Sequence, residues 1–237
     1  MSGVPDRVLE AVLWDMDGTI VDTEPYWMEA EHALVRAHGG AWSVEHAHAL
    51  VGNPLLVSAE YLQRHGGVDL PAREIVDVLQ SHVVRRVGER PPWRPGAREL
   101  LAELVEARVR CALVTMSWTP LANAVLAHVP ADTFDVVVTG DQVADGKPHP
   151  APYLRAMELL GTSPQHCVAI EDSATGLASA EAAGVATVAI PHLVPIPEAP
   201  GRTRVASLTA VDHALLARVV SGARAAPGRR FRNVTTP

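Results

Sequence analysis

Apolar and polar positions along the 237-residue chain change period twice. Residues 8–14 (VLEAVLW) form a largely apolar run that stops at the acidic, glycine-containing DMDGT of 15–19, the pattern of a buried strand ending in a turn. From 23 to 89 the apolar positions recur at helical spacing in four stretches, YWMEAEHALVRAHGG, SVEHAHALVG, PLLVSAEYLQRHGG and PAREIVDVLQSHVVRRVG, with glycine pairs at the breaks. Pro91, Pro92 and Pro95 then punctuate the return to strand-length runs. Helices are expected at 96–108, 119–129, 149–161 and 173–184, alternating with strands at 111–115, 134–140, 166–172 and 185–190. Such alternation predicts an α/β fold with a parallel sheet covered on both faces. The strand at 8–14 belongs to that sheet, so the four helices are an insertion. The expected division is a core of 1–22 and 92–237 and an inserted four-helix domain of 23–91. Past Pro191 the pattern weakens to one further helix at 209–220, and the basic, aperiodic tail of 225–237 is expected to be mobile.

Composition narrows the partners more than the fold. Hydrophobic residues at 48% exclude a disordered chain, and a net charge of −7 leaves no basic surface for nucleic acid or an anionic membrane. No run approaches the roughly 20 apolar residues of a membrane helix, and the opening MSGVPDRVLE lacks the features of a secretory signal. Cys111 and Cys167 each sit in an apolar run, so no disulfide framework is implied. A soluble cytoplasmic protein is expected, as a monomer or weak homodimer.

The candidate chemistry sits at strand ends. Asp15 and Asp17 end the first strand, and a strand period of two would set their carboxylates side by side, a poor arrangement for stability and a good one for a divalent cation. Glu171 and Asp172 end another strand just before a helix, where a plain cap by Asp172 or Ser173 is the competing reading. Thr115 ends the 111–115 strand, where a hydroxyl and the amides of a helix start suit a phosphate oxygen, although taken alone it reads first as a plain buried or capping threonine. Lys147 follows the 134–140 strand and is the only lysine among 20 basic residues, which sets it apart from an ordinary solvated loop cation. All four features fall at the C-terminal edge of one sheet and form one site.

This ordered set, DMDGT, Thr115, Lys147 in GKPHP and Glu171-Asp172, resembles the four motifs of the haloacid dehalogenase superfamily, over nearly the whole chain. The opening DMDGTIVDTEP is similar to the β-phosphoglucomutase-like phosphatases, which carry a mobile helical cap at the place of the insertion. The resemblance implies a Rossmann-like core and a Mg2+-dependent phosphatase of small phosphate monoesters, such as a sugar phosphate. It implies that Asp15 is the nucleophile, Asp17 the acid and base, and Thr115 and Lys147 the holders of the phosphoryl group. It places Mg2+ on Asp15, the backbone carbonyl of Asp17 and Asp172. Glu171 is left open, either as a further ligand or as a supporting residue.

Within that family Asp17 argues against the hydrolytic dehalogenases, which lack an acid there, and a cap without lysine argues against imine-forming phosphonate cleavage. Substrate contacts are expected from Thr23, Glu24, Trp27, Gly52 and Asn53 of the cap and from Ser117 beside the second motif. Trp27, Trp42 and Tyr61 at helical spacing read first as cap core. The eleven histidines show no metal spacing, since His46 and His48 would not share a helix face. A sugar phosphomutase and a catalytically weak binding member are the alternatives. Against the mutase, Trp27 stands where the mutases have a histidine four residues after the threonine, and no basic residue stands among Ala49, Leu50 and Val51 before Gly52.

Overall fold

The computed structural model describes residues 8–222. Six parallel strands, β1 (Ala11–Trp14), β2 (Arg110–Val114), β3 (Val136–Val138), β4 (Cys167–Glu171), β5 (Ala186–Ala189) and β6 (Thr203–Arg204), form one sheet in the order β3-β2-β1-β4-β5-β6. β1 and β4 are buried along their whole length, which explains why they read as unbroken apolar runs and not as alternating ones. Their alternation survives in which face each residue serves. Val12 and Trp14 join one cluster with Leu100, Leu104, Leu121 and Leu216, from α5 (Ala97–Glu106), α6 (Thr119–Leu126) and α9 (His213–Val220). Ala11 and Leu13 face the opposite cluster with Tyr153, Met157 and Ala180, from α7 (Ala151–Leu160) and α8 (Ala174–Ala182).

The inserted segment folds as α1 (Glu24–Ala37), α2 (Val44–His48), α3 (Leu55–Gly66) and α4 (Ala72–Glu89) around its own apolar cluster, which includes Leu34, Val35, Leu62, Ile75 and Leu79. The four expected helices are present, α2 as little more than one turn held by the capping box of Ser43 and His46. Trp42 and Tyr61 pack on this cluster, while Trp27 packs on both it and the core. Helix α4 reaches furthest toward the sheet, burying Val83 and Val87 in the core cluster and packing along α6. The two connections to the sheet run side by side, with the Asp22 N–H donating to Pro92 O at 2.8 Å and the Arg94 N–H to Ile20 O at 2.9 Å.

Four of the five expected strands are shorter than expected, and β2 keeps its length but starts one residue earlier, at Arg110. The strand expected at 134–140 pairs only over Val136–Val138, because residues 140–142 turn into a 3₁₀ helix. The final helix begins at His213 and not 209, since Asp212 caps it and residues 208–210 form a separate 3₁₀ turn. Strand β6 carried no periodic signal at two residues in length. Both cysteines are buried and free. Among the described residues no helix is long and apolar enough to cross a membrane. The tail of 225–237 lies outside the described residues.

Candidate active site

Neighbours diverge beside β1: β2 and β3 lie on one side and β4 to β6 on the other, the switch point where open α/β sheets bind ligands. Trp14 is paired in register with Ile170, so Asp15 and Glu171 reach the same sheet edge together, and the Asp15 N–H still donates to Ile170 O at 3.0 Å. The chain then turns tightly through Gly18, whose φ of +82° favours glycine. A Cβ there would stand 2.0 Å from Asp172 Oδ2, so glycine is required a second time, to let Asp172 lie against the turn.

Lys147 is no solvated loop lysine. Its side chain is 5% exposed, and its Nζ donates to Asp15 Oδ1 at 2.8 Å, to Glu171 Oε1 at 2.6 Å and to Val114 O at 2.8 Å, which uses all three ammonium protons. Glu171 is wholly buried. Its Oε1 accepts Lys147 and the Tyr153 hydroxyl at 2.6 Å, and its Oε2 accepts Ser173 Oγ at 3.1 Å. Helix α8 makes room for this carboxylate at Gly176, where a Cβ would come within 1.9 Å of it.

Asp15, Glu171 and Asp172 present carboxylate oxygens within 4.8 Å of one another. Of the three, Glu171 is the poorest ligand, because both of its oxygens already accept protein donors. Asp15 Oδ2, by contrast, is buried without a hydrogen-bond partner, an arrangement that fits a hard cation held by Asp15 and Asp172. The charges tell the same story. Burial, followed by Glu171, pushes the Asp15 carboxyl up while Lys147 pulls it back, and burial with Asp15 pushes Asp172 up. Burial pulls the Lys147 ammonium down, but Asp15 and Glu171 more than offset this and hold it above the ordinary lysine range. Two carboxyls raised side by side are a site short of positive charge.

Asp17 is held apart from that trio by three hydroxyls. Thr23 Oγ1 donates to its Oδ1 at 2.5 Å, and Ser117 Oγ and Thr115 Oγ1 donate to its Oδ2 at 2.7 and 3.3 Å. Thr115 Oγ1 in turn accepts the Ser117 N–H at 3.0 Å, tightening the turn after β2. Thr23 immediately precedes α1, so the start of the insertion is tied directly to Asp17. Glu24 lies near the same carboxylate, and burial, with Asp17 and Asp22 adding to it, pushes Glu24 up to about 7.

Asp15, Asp17, Thr115, Ser117, Lys147, Glu171, Asp172, Thr23 and Glu24 are thus gathered at one edge, and Trp27 packs at the junction above it. Gly52 and Asn53 are not brought into this network. Both are exposed, and Asn53 Nδ2 donates to Ala49 O at 2.9 Å within the insertion. Two residues of the network escaped sequence reasoning, Tyr153 and Gly176, whereas Ser173 takes the capping role read for it, its Oγ accepting the Gly176 N–H at 3.0 Å. Tyr153 falls on the apolar stripe of α7 and reads as core, and nothing in the spacing marks its hydroxyl. His192 was equally silent in the sequence: Arg94 donates to its Nδ1 at 2.6 Å and its Nε2 lies 3.0 Å from Asp22 Oδ1, so it touches both connections of the insertion.

With this geometry in place, comparison with known proteins is specific. The chain matches the haloacid dehalogenase-like hydrolases over residues 9–184. A phosphorylated carbohydrates phosphatase of Thermotoga maritima is 34% identical over 188 residues, 75% of this chain and 82% of that one. Hexitol phosphatase B of Escherichia coli is 29% identical over 198 residues, 81% of this chain and 86% of that one. The crystal structure of CbbY from Rhodobacter sphaeroides in complex with xylulose-(1,5)bisphosphate has a TM-score of 0.80 at 29% identity, covering 88% of this chain and 99% of that one. A matched family domain, a four-motif edge on a parallel sheet and relatives that are phosphatases agree, and the chain belongs to the haloacid dehalogenase-like hydrolases as a phosphoric monoester hydrolase.

Proposed function

We propose that this phosphatase hydrolyses phosphate monoesters of small sugars or related metabolites, with Mg2+, through an aspartyl-phosphate on Asp15. The observation that carries this reading is the buried Lys147 ammonium clamped between Asp15 Oδ1 and Glu171 Oε1, beside an Asp15 oxygen that has no protein partner. Relatives whose names specify phosphorylated carbohydrates and hexitols support the substrate class.

Asp15 attacks the phosphorus, the bond from phosphorus to the ester oxygen breaks, and Asp17 supplies the proton that the departing alcohol needs. Asp17 then takes a proton from water as that water attacks the phosphorus, which returns Asp15 as a carboxylate and releases inorganic phosphate. Lys147 and the turn of Thr115 to Ser117 offset the charge on the phosphoryl oxygens. Asp15, Asp172 and the Asp17 carbonyl would hold Mg2+. When bound it would neutralise the crowded carboxylates and polarise the phosphoryl group. Thr23 Oγ1 holds Asp17 Oδ1, so the insertion, taken as residues 23–91, acts as a cap whose position bears directly on the acid.

The test is a panel of phosphorylated sugars and polyols with Mg2+, including β-glucose 1-phosphate with a trace of the 1,6-bisphosphate, following inorganic phosphate and glucose 6-phosphate together. Phosphate release that stops with chelator and in Asp15→Asn is the expected result. No release from any member of the panel overturns the reading, and glucose 6-phosphate forming much faster than free phosphate replaces it with a mutase.

A further inference from the structure

Tyr153 has no part in the chemistry above, yet α7 places its phenol in the middle of the charged network. The ring is fully buried among Ala112, Val114 and Ala169, surroundings in which phenylalanine would avoid burying a polar group. The hydroxyl donates to Glu171 Oε1 at 2.6 Å, the same oxygen that accepts Lys147 Nζ at 2.6 Å, and the ring centroid lies 5.3 Å from that nitrogen. Two donors therefore share one carboxylate oxygen, and the phenol O–H offsets part of the negative charge that Lys147 meets there. The Lys147 ammonium has no spare proton, so its position is set by competing pulls from Asp15 on one side and Glu171 on the other.

We propose that Tyr153 is a positioning residue: by occupying Glu171 Oε1 together with Lys147, its hydroxyl limits the pull of Glu171 and keeps the ammonium against Asp15. Without the hydroxyl, Glu171 draws Lys147 toward itself, and the charge that should offset the phosphoryl group moves off the line of reaction. This rests on the roles proposed above for Asp15 and Lys147.

Tyr153→Phe removes the hydroxyl and keeps the ring, its packing and its face toward Lys147. With p-nitrophenyl phosphate and Mg2+, kcat is expected to fall about tenfold, roughly 1.4 kcal/mol, with KM within about twofold and the melting temperature within about 3 °C. In a Glu171→Gln background, where no carboxylate charge remains to be tempered, adding Tyr153→Phe should change the residual kcat by less than about twofold. A kcat for Tyr153→Phe within twofold of the parent overturns the proposal. An equal loss in both backgrounds also overturns it, because packing alone would act regardless of the charge on residue 171. Lys147→Met separates this from the wider reading: wild-type turnover there removes the role of Lys147 itself, whereas an inactive Lys147→Met beside an unaffected Tyr153→Phe removes only the role of Tyr153.

Discussion

Lys147 Nζ stands 2.6 Å from Glu171 Oε1 and 2.8 Å from Asp15 Oδ1, one cation joining the ends of two adjacent strands. The ion pair is almost wholly removed from solvent, so losing either partner would leave an uncompensated buried charge. Both contacts need a compact point charge. A guanidinium is longer and planar, and its donors are set in a fixed fork. Lys147→Arg should therefore lower kcat/KM at least tenfold, about 1.4 kcal/mol of transition-state stabilisation, in steady-state assays. Wild-type kinetics would mean that charge alone is required at this position.

The same network inverts a general rule about helices. Alanine normally stabilises a helix over glycine by about 1 kcal/mol. At Gly88, in the last turn of α4, a Cβ meets nothing within 4 Å, and Gly88→Ala should raise the melting temperature by about 2–4 °C. At Gly176 a Cβ would meet all three carboxylate atoms of Glu171 at 1.9–2.1 Å. Gly176→Ala should cost about 1–3 kcal/mol and reduce turnover with it. A stabilised and active Gly176→Ala would show that the Glu171 carboxylate is free to move.

Metal and proton should compete at the carboxylate trio. Burial and mutual repulsion hold the Asp15 and Asp172 carboxyls above their ordinary value of 3.8 in the metal-free protein. A raised folded-state pKa gives stability that is complete below the unfolded value and is lost as pH climbs through the folded one, so the metal-free protein should weaken from pH 5 to pH 9. Mg2+ should reverse this, adding about 2.7 kcal/mol at a hundredfold excess over Kd, roughly 5–10 °C at pH 8, with a much smaller shift at pH 5. Thermal melts with and without Mg2+ at the two pH values check this, and equal shifts would contradict it.

A further buried acid lies in the cap. Glu31 is 4% exposed; burial pushes its carboxyl up to about 8, against the hydrogen bond from Trp42 Nε1 at 3.2 Å and with Glu24 adding to the rise. By the same sign, the stability it lends is complete below 4.5 and lost as pH rises through about 8. Glu31→Gln keeps an acceptor for Trp42 and removes the charge. It should melt higher than the parent at pH 8.5 and at about the same temperature at pH 4.5. No gain at the higher pH would mean that the glutamate is solvated when ionised.

Much of this fold is legible in the sequence because burial and period coincide in it. Strands buried on both faces, such as Cys167–Glu171, leave uninterrupted apolar runs, and the carboxylates that follow them mark the sheet edge. Asp15 and Asp172 stand out because charged residues next to such runs need a reason, and Lys147 because it is the only lysine in the chain. Residues whose role comes from tertiary placement leave no such trace. Tyr153 and Gly176 occupy ordinary helical positions until β4 brings Glu171 against them, and β6 is too short for any period to register. Gly52 and Asn53 show the converse, a conspicuous turn whose hydrogen bonds stay inside the cap.

The covalent intermediate proposed at Asp15 is read most directly by chemical trapping. An aspartyl-phosphate is reduced by borohydride to homoserine, whereas a free carboxylate is not. Protein quenched during turnover of a sugar phosphate with Mg2+, reduced, digested and sequenced by mass spectrometry should carry homoserine at position 15, and none when substrate or Mg2+ is omitted. Active enzyme with aspartate intact at position 15, or with the reduced residue at Asp17 or Asp172, would contradict it.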